Sequence, residues 1–171
     1  MFKLLLPNQH VNSIFDIHPA ELQKNGIKGI ITDLDNTLVA WDVKDATPEI
    51  TEWFRRMDDH NIKVTIISNN KMERVKIFSE PLGTPFVFSA RKPLSHAYKR
   101  TTQEMELSKD AVVVIGDQIL TDILGGNLAG FYTILVTPIV QTDGKVTRFN
   151  RKIERKILSY MRRKGKITWE E

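Results

Sequence analysis

The 171-residue chain contains no cysteine. Disulfides, thiol nucleophiles and cysteine-bound zinc are excluded, and the absence fits a reducing compartment. The four histidines, His10, His18, His60 and His96, are scattered, with no pairing at metal-ligand spacing. Long apolar runs are also missing. The start, Met1-Phe2-Lys3-Leu4-Leu5-Leu6-Pro7, is too short for a signal core or a membrane span. A cytoplasmic protein without a transmembrane helix is expected. No repeat, low-complexity tract or linker interrupts the chain, so residues 1–171 read as one domain: a lead-in over 1–26, a core over 27–137 and a basic segment over 148–171.

Hydrophobic residues make up 41% and charged residues 27%, the balance of a globular domain large enough to bury a core. The net charge of +4 is unevenly placed. Residues 148–171 hold nine Lys/Arg against three Glu, whereas residues 1–147 hold sixteen basic against eighteen acidic residues. By this reading the basic character belongs to the tail and not to the body of the chain.

Strand and helix patterns alternate along the core. Pro19 opens a short helix that Asn25-Gly26 stops. Ile27 to Thr32 reads as the first core strand. Thr47 and Pro48 start a helix whose apolar face is Ile50, Trp53, Phe54 and Met57. A β-branched strand follows over Ile62 to Ser68. Asn70 and Glu73 have capping-box spacing for a helix running to about Ser79. Pro85 to Ser89 reads as a short strand, Ser95 to Leu107 as a helix and Ala111 to Ile115 as a strand buried on both faces. Ile119, Ile123, Asn127 and Leu128 mark a helix in which Gly125-Gly126 permits close packing, and Tyr132 to Val136 is the last strand. This alternation predicts an α/β fold with a mainly parallel five-stranded sheet between helices. Ligands of such sheets bind at the carboxyl ends of the strands.

Those strand ends carry the chemistry. The first gives Asp33 and Asp35, one residue apart, and alternation along a strand lets both point the same way. Paired acids repel, and Mg²⁺, which takes oxygen ligands, relieves the repulsion. The second end gives Ser68-Asn69-Asn70, the third Arg91-Lys92-Pro93, and the fourth Gly116-Asp117 with Asp122 five residues on. Alone, Ser68-Asn69 is a turn, Lys92 a solvated lysine and Gly116-Asp117 a capping loop. In this order they fit phosphoryl transfer, where positioning and charge neutralisation dominate.

The four motifs together resemble the haloacid dehalogenase (HAD) superfamily of phosphohydrolases. They are Asp33-Leu34-Asp35-Asn36-Thr37-Leu38, Ser68-Asn69-Asn70, Lys92-Pro93 and Gly116-Asp117-Gln118-Ile119-Leu120-Thr121-Asp122. Trp41-Asp42, Thr133-Ile134-Leu135-Val136 and Ser13-Ile14-Phe15-Asp16-Ile17 look like the YqeG-like branch of subfamily IIIA, which is related to mitochondrial phosphatidylglycerophosphate phosphatases. The resemblance implies a Rossmann-like three-layer sandwich. It implies Asp33 as nucleophile and Asp35 as general acid and base, and a Mg²⁺ ion held by Asp33, the Asp35 carbonyl and Asp117. Ser68, Asn69 and Lys92 would hold the phosphoryl oxygens, with Asp122 and Thr37 supporting them.

Leu38 to Ile62 and Ser68 to Lys92 are too short to hold a cap domain. An open site is expected, suited to a phosphate on something large, such as a lipid. Trp41 falls where the superfamily has a small flap and is read either as a cover or as ordinary packing. In the tail, Phe149, Ile153, Ile157, Tyr160 and Met161 follow helical spacing among Arg and Lys residues. Docking of that stripe on the sheet is expected, with the basic face against an anionic membrane in preference to RNA. The substrate read first is phosphatidylglycerophosphate. Phosphatases of proteins, nucleotides or other small phosphates stand second. A non-catalytic module that binds phosphorylated partners or RNA is the competing class.

Overall fold

A computed structural model describes residues 2–140 and 145–169. Six strands, β1 (Gln9–Val11), β2 (Gly29–Thr32), β3 (Lys63–Ile67), β4 (Phe86–Val87), β5 (Val112–Gly116) and β6 (Tyr132–Val136), form one sheet in the order β1-β6-β5-β2-β3-β4. Every neighbouring pair is parallel. Five strands fall where the patterns place them. The sixth, β1, lies in the lead-in. It is only three residues long and partly exposed, so it has no apolar run to betray it. Pairing at the sheet edge creates it: Asn8 N–H donates to the Thr133 carbonyl at 2.9 Å, and the Asn8 side-chain oxygen accepts from Thr133 N–H at 2.8 Å.

The helices are α1 (Pro19–Lys24), α2 (Pro48–Asp59), α3 (Met72–Ser79), α4 (His96–Glu104), α5 (Leu124–Ala129) and α6 (Lys145–Arg163). Alternation along the strands builds two cores. Ile30, Ile66, Val113 and Ile115 pack with Trp53 and Met57 of α2 and Val75 and Phe78 of α3. Ile31, Ile67, Val112 and Val114 face the other way, onto Ala97 and Tyr98 of α4. Thr47 caps α2 through its side chain, at 3.3 Å from Ile50 N–H. The expected Asn70 cap is not formed. Lys71 precedes α3 instead, and the Asn70 side-chain oxygen that would cap accepts from Lys71 N–H at 2.8 Å. Gly126 lets α5 lie on the sheet, since a Cβ there would stand 2.6 Å from Thr133 Cγ2. Leu128, expected on the packed face, is exposed.

Helix α6 docks through a face that shares Ile157 and Met161 with its expected apolar stripe but leaves out Phe149, Ile153 and Tyr160. Leu158 and Met161 are buried against Ile119, Ile123 and Leu135. Phe149, Ile153 and Tyr160 remain exposed, Phe149 by 66%. Polar contacts made by Arg151 and Glu154, described below, set this rotation. Glu170, Glu171 and the side chain of Arg148 lie outside the described residues.

Topology fixes the site. From β2 the chain runs outward to β3 and β4. It then returns to the other side of β2 for β5 and β6, which makes β2/β5 the switch point where α/β sheets bind ligands. Thr32 is in register with Ile115, and Asp33 N–H donates to the Ile115 carbonyl at 2.9 Å. Residues leaving these two strands are therefore neighbours. Between Leu38 and β3 stand only a loop and α2, and between Ser68 and Lys92 only α3 and β4, so among the described residues no cap domain covers this end. Among the described residues, no helix is long and apolar enough to cross a membrane.

Candidate active site

The carboxylates of Asp33, Asp117 and Asp122 are buried and offer oxygens within 4.8 Å of one another. Lys92 binds two of them. Its Nζ lies 2.6 Å from Asp33 Oδ1 and 2.6 Å from Asp122 Oδ1. Burial works against the Lys92 charge, but Asp122 and Asp33 outweigh it and hold its pKa well above the ordinary value. Asp122 is pushed up to about 6, first by burial, with Lys92 opposing and Asp33 adding to the rise. Asp117 is raised well above the carboxylate range by burial, against the pull of Arg151.

Local structure explains how these groups meet. Asp122 sits in a π-helical turn, Ile119–Ile123, immediately after the β5 loop. The Asp122 Oδ2 accepts from Gln118 N–H at 3.1 Å. A Cβ on Gly116 would collide with the Asp122 carboxyl group, so glycine is required there. Through Oδ1 on the Lys92 ammonium and Oδ2 on Gln118 N–H, Asp122 anchors Lys92. Thr37 Oγ1 donates to Asp117 Oδ1 at 3.3 Å. Asn69 fixes the Lys92 backbone from both sides: its oxygen accepts from Lys92 N–H at 2.7 Å and its amide donates to the Lys92 carbonyl at 3.2 Å. Ser68 is buried, and its hydroxyl accepts from Asn70 N–H at 3.1 Å.

The Asp35 side chain turns away from the three-acid cluster. Arg74 donates to its Oδ1 from Nε at 3.0 Å and from Nη2 at 2.8 Å, and Asn70 donates to its Oδ2 at 3.0 Å. Burial raises the Asp35 pKa, while Asn70 and Arg74 oppose the rise. Trp41 lies on the loop after Leu38 and is 43% exposed.

The sequence-predicted residues Asp33, Asp35, Thr37, Ser68, Asn69, Lys92, Asp117 and Asp122 all meet at one end of the sheet. Four partners were missed. Arg74 and the Asn70 side chain hold Asp35, and nothing beyond their place after Ser68-Asn69 signals it. Arg151 and Glu154 come from α6, previously read as separate from the catalytic body. Arg151 donates to the Asp117 carbonyl at 2.8 Å and pairs with the Asp117 carboxylate. Glu154 accepts from Leu120 N–H at 2.9 Å and from Arg151 at 3.3 Å. The signal was present: Glu154 is the one acid among residues 145–169.

The donor set suits a hard cation. Asp33 and Asp117 supply buried carboxylate oxygens close together, with no sulfur or imidazole in the cluster.

A probable phosphatase, YqeG of Bacillus subtilis (strain 168), is 58% identical over 169 residues, covering 99% of this chain and 98% of that protein. The chain belongs to the HAD-like hydrolases. The HAD-hydrolase-like family profile matches residues 89–158, from just before Lys92 into α6. Phosphatidylglycerophosphate phosphatase 1, chloroplastic/mitochondrial, of Arabidopsis thaliana is 27% identical over 180 residues, covering 95% of this chain and half of that protein. Among solved structures, the HAD-like fold is shared with two 3-deoxy-D-manno-octulosonate 8-phosphate phosphatases. The cobalt-bound enzyme of Haemophilus influenzae aligns with TM-score 0.53 at 17% identity over 79% of this chain and 89% of that one. The enzyme of Moraxella catarrhalis, in complex with magnesium and phosphate ions, aligns with TM-score 0.54 at 16% identity over 81% and 92%.

Burial pushes the Glu154 carboxyl from 4.5 up to about 7, against the Leu120 N–H and Arg151. From about pH 4.5 upward the unfolded chain releases this proton while the folded chain keeps it, so stability falls until the folded group ionises. In EDTA, Glu154→Gln should gain stability relative to the parent by about 3 kcal/mol between pH 4.5 and about pH 8. Urea unfolding at several pH values measures this; a stability difference independent of pH would contradict it.

Proposed function

We propose that this HAD-like hydrolase is a Mg²⁺-dependent phosphomonoesterase that works through an aspartyl-phosphate on Asp33, with phosphatidylglycerophosphate as its substrate. One observation carries the reading: the Asp33 carboxylate lies 2.6 Å from the Lys92 ammonium and offers an oxygen within 4.8 Å of one from Asp117, within reach of one shared cation.

Asp33, Asp35 and Asp117 would hold the ion, Asp35 through its carbonyl. When bound, Mg²⁺ supplies charge neutralisation between an anionic nucleophile and an anionic phosphate. The chain's own groups do the rest. An Asp33 oxygen attacks phosphorus, and the bond to the ester oxygen breaks as Asp35 gives that oxygen a proton. Burial raises Asp35, the direction an acid requires. Water then attacks the phosphorus of the aspartyl-phosphate, Asp35 takes its proton, and Asp33 is released with inorganic phosphate. Lys92, the Ser68 hydroxyl and the Asn69 backbone bind the phosphoryl oxygens. Asp122 orients Lys92, and Thr37 orients Asp117.

Three features support a lipid phosphate: the similarity to the Arabidopsis protein, the absence of a cap over the site, and the outer face of α6. On that face Phe149, Ile153 and Tyr160 are exposed beside exposed Lys152, Arg155 and Lys156. Aromatic and aliphatic groups among cations suit an anionic bilayer surface, which supports a peripheral role at the cytoplasmic face of a membrane.

Phosphate release should require Mg²⁺, stop in EDTA and fall by on the order of 10⁴-fold in Asp33→Asn. In a panel of lipid, nucleotide, sugar and peptide phosphates, phosphatidylglycerophosphate should give the highest kcat/KM. Preference for another member would replace the substrate, and no metal-dependent release from any would favour a phosphate-binding module.

The parent protein should sediment with phosphatidylglycerol-containing vesicles, and less so at high salt. A Phe149→Ser, Ile153→Ser double variant should lose most of that binding; equal sedimentation by both would remove the membrane face.

A further inference from the structure

We infer that Arg151, carried by the C-terminal helix, is a positioning residue for Asp117, so that docking of α6 completes the cation site. The inference rests on reading Asp117 as a metal ligand. Arg151 grips Asp117 at two points, donating to its carbonyl at 2.8 Å and pairing with its carboxylate. The carboxylate contact falls on Oδ2, while Oδ1 is the oxygen to which Thr37 donates. Arg151 and Thr37 therefore hold the carboxylate by opposite oxygens and fix its rotation. That is the arrangement by which outer groups orient metal ligands.

The helix is built to bring Arg151 there. Glu154, one turn on, is buried and accepts from Leu120 N–H at 2.9 Å and from Arg151. The same loop, Asp117 to Leu120, is thus held from α6 at both ends. Leu158 and Met161 continue this face into the apolar contact with Ile119, Ile123 and Leu135. These contacts explain why α6 buries the Arg151–Glu154–Leu158–Met161 face and leaves its aromatic stripe outside. A helix merely covering apolar surface would have turned Phe149 and Ile153 inward.

Arg151 stands near the cation site, and an isolated guanidinium there would repel a divalent ion. Its guanidinium is instead engaged by Asp117 and Glu154, and its role is to orient the ligand. A bidentate grip of this kind needs the planar fork of arginine, which lysine lacks.

Calorimetric titration of the full chain with Mg²⁺, without substrate, tests this. Arg151→Gln should bind Mg²⁺ about tenfold more weakly than the parent. Arg151→Lys, which keeps the charge without the fork, should be weaker by roughly threefold. In turnover, excess Mg²⁺ should restore most of kcat in both variants. A purely structural role would lower Tm and leave the Mg²⁺ Kd unchanged. If circular dichroism shows Arg151→Gln unfolded, Arg151→Lys decides. Variants that bind as tightly as the parent, or more tightly, would overturn the inference alone. A parent that binds no Mg²⁺ would overturn the metal site and the inference with it.

Discussion

The active end of this molecule depends on one buried ammonium shared by two buried carboxylates. Lys92, Asp33 and Asp122 are all nearly sealed from solvent, and the two contacts are 2.6 Å each. Each charge is tolerable only because of the others, since removing one partner of a buried pair costs about 3–5 kcal/mol. The surrounding structure follows from that need. Gly116 has no side chain because Asp122 occupies the space where one would lie. Asn69 grips the Lys92 backbone on both sides. The π-helical turn directs Asp122 back at the strand end. Lys92 and Arg151 together leave the three acids Asp33, Asp117 and Asp122 with more carboxyl groups than cations in dry surroundings, and that imbalance prepares the site for a divalent cation.

The cation site is assembled from distant parts of the chain. Asp33 comes from the end of β2, Lys92 from the loop after β4, Asp117 from the end of β5, and Arg151 from α6. The β2/β5 register brings the two acids together. The helix adds a brace from outside the sheet. A segment set apart by its charge therefore has two distinct faces. The inner face holds the loop that carries Asp117, and the outer face leaves aromatic and basic groups exposed.

Much of this was legible in the sequence. Strand periodicity placed five of the six strands, and Thr47-Pro48 placed the start of α2. The order of polar residues at successive strand ends named the groups that converge. What was not legible depended on tertiary context. The Gln9–Val11 strand exists because an edge was available, not because its residues demand it. Asn70 has the spacing of a helix cap, but its oxygen accepts from Lys71 N–H and its amide donates to Asp35. Apolar periodicity alone draws the α6 stripe. The half-buried Arg151 and the buried Glu154, at i and i+3, turn its outer part away from the sheet. An isolated acid in a basic helix was the clue, and its meaning required knowing that Asp117 lay opposite.

The account's central claim is that Asp33 and Asp117 share a metal ion beside Lys92. A crystal structure of the full chain grown with Mn²⁺, a Mg²⁺ stand-in that scatters anomalously, tests it most directly. The account predicts one strong anomalous peak between the carboxylates of Asp33 and Asp117, also ligated by the Asp35 carbonyl, with Lys92 still paired to Asp122. A peak elsewhere, or an empty site at saturating Mn²⁺, would contradict it.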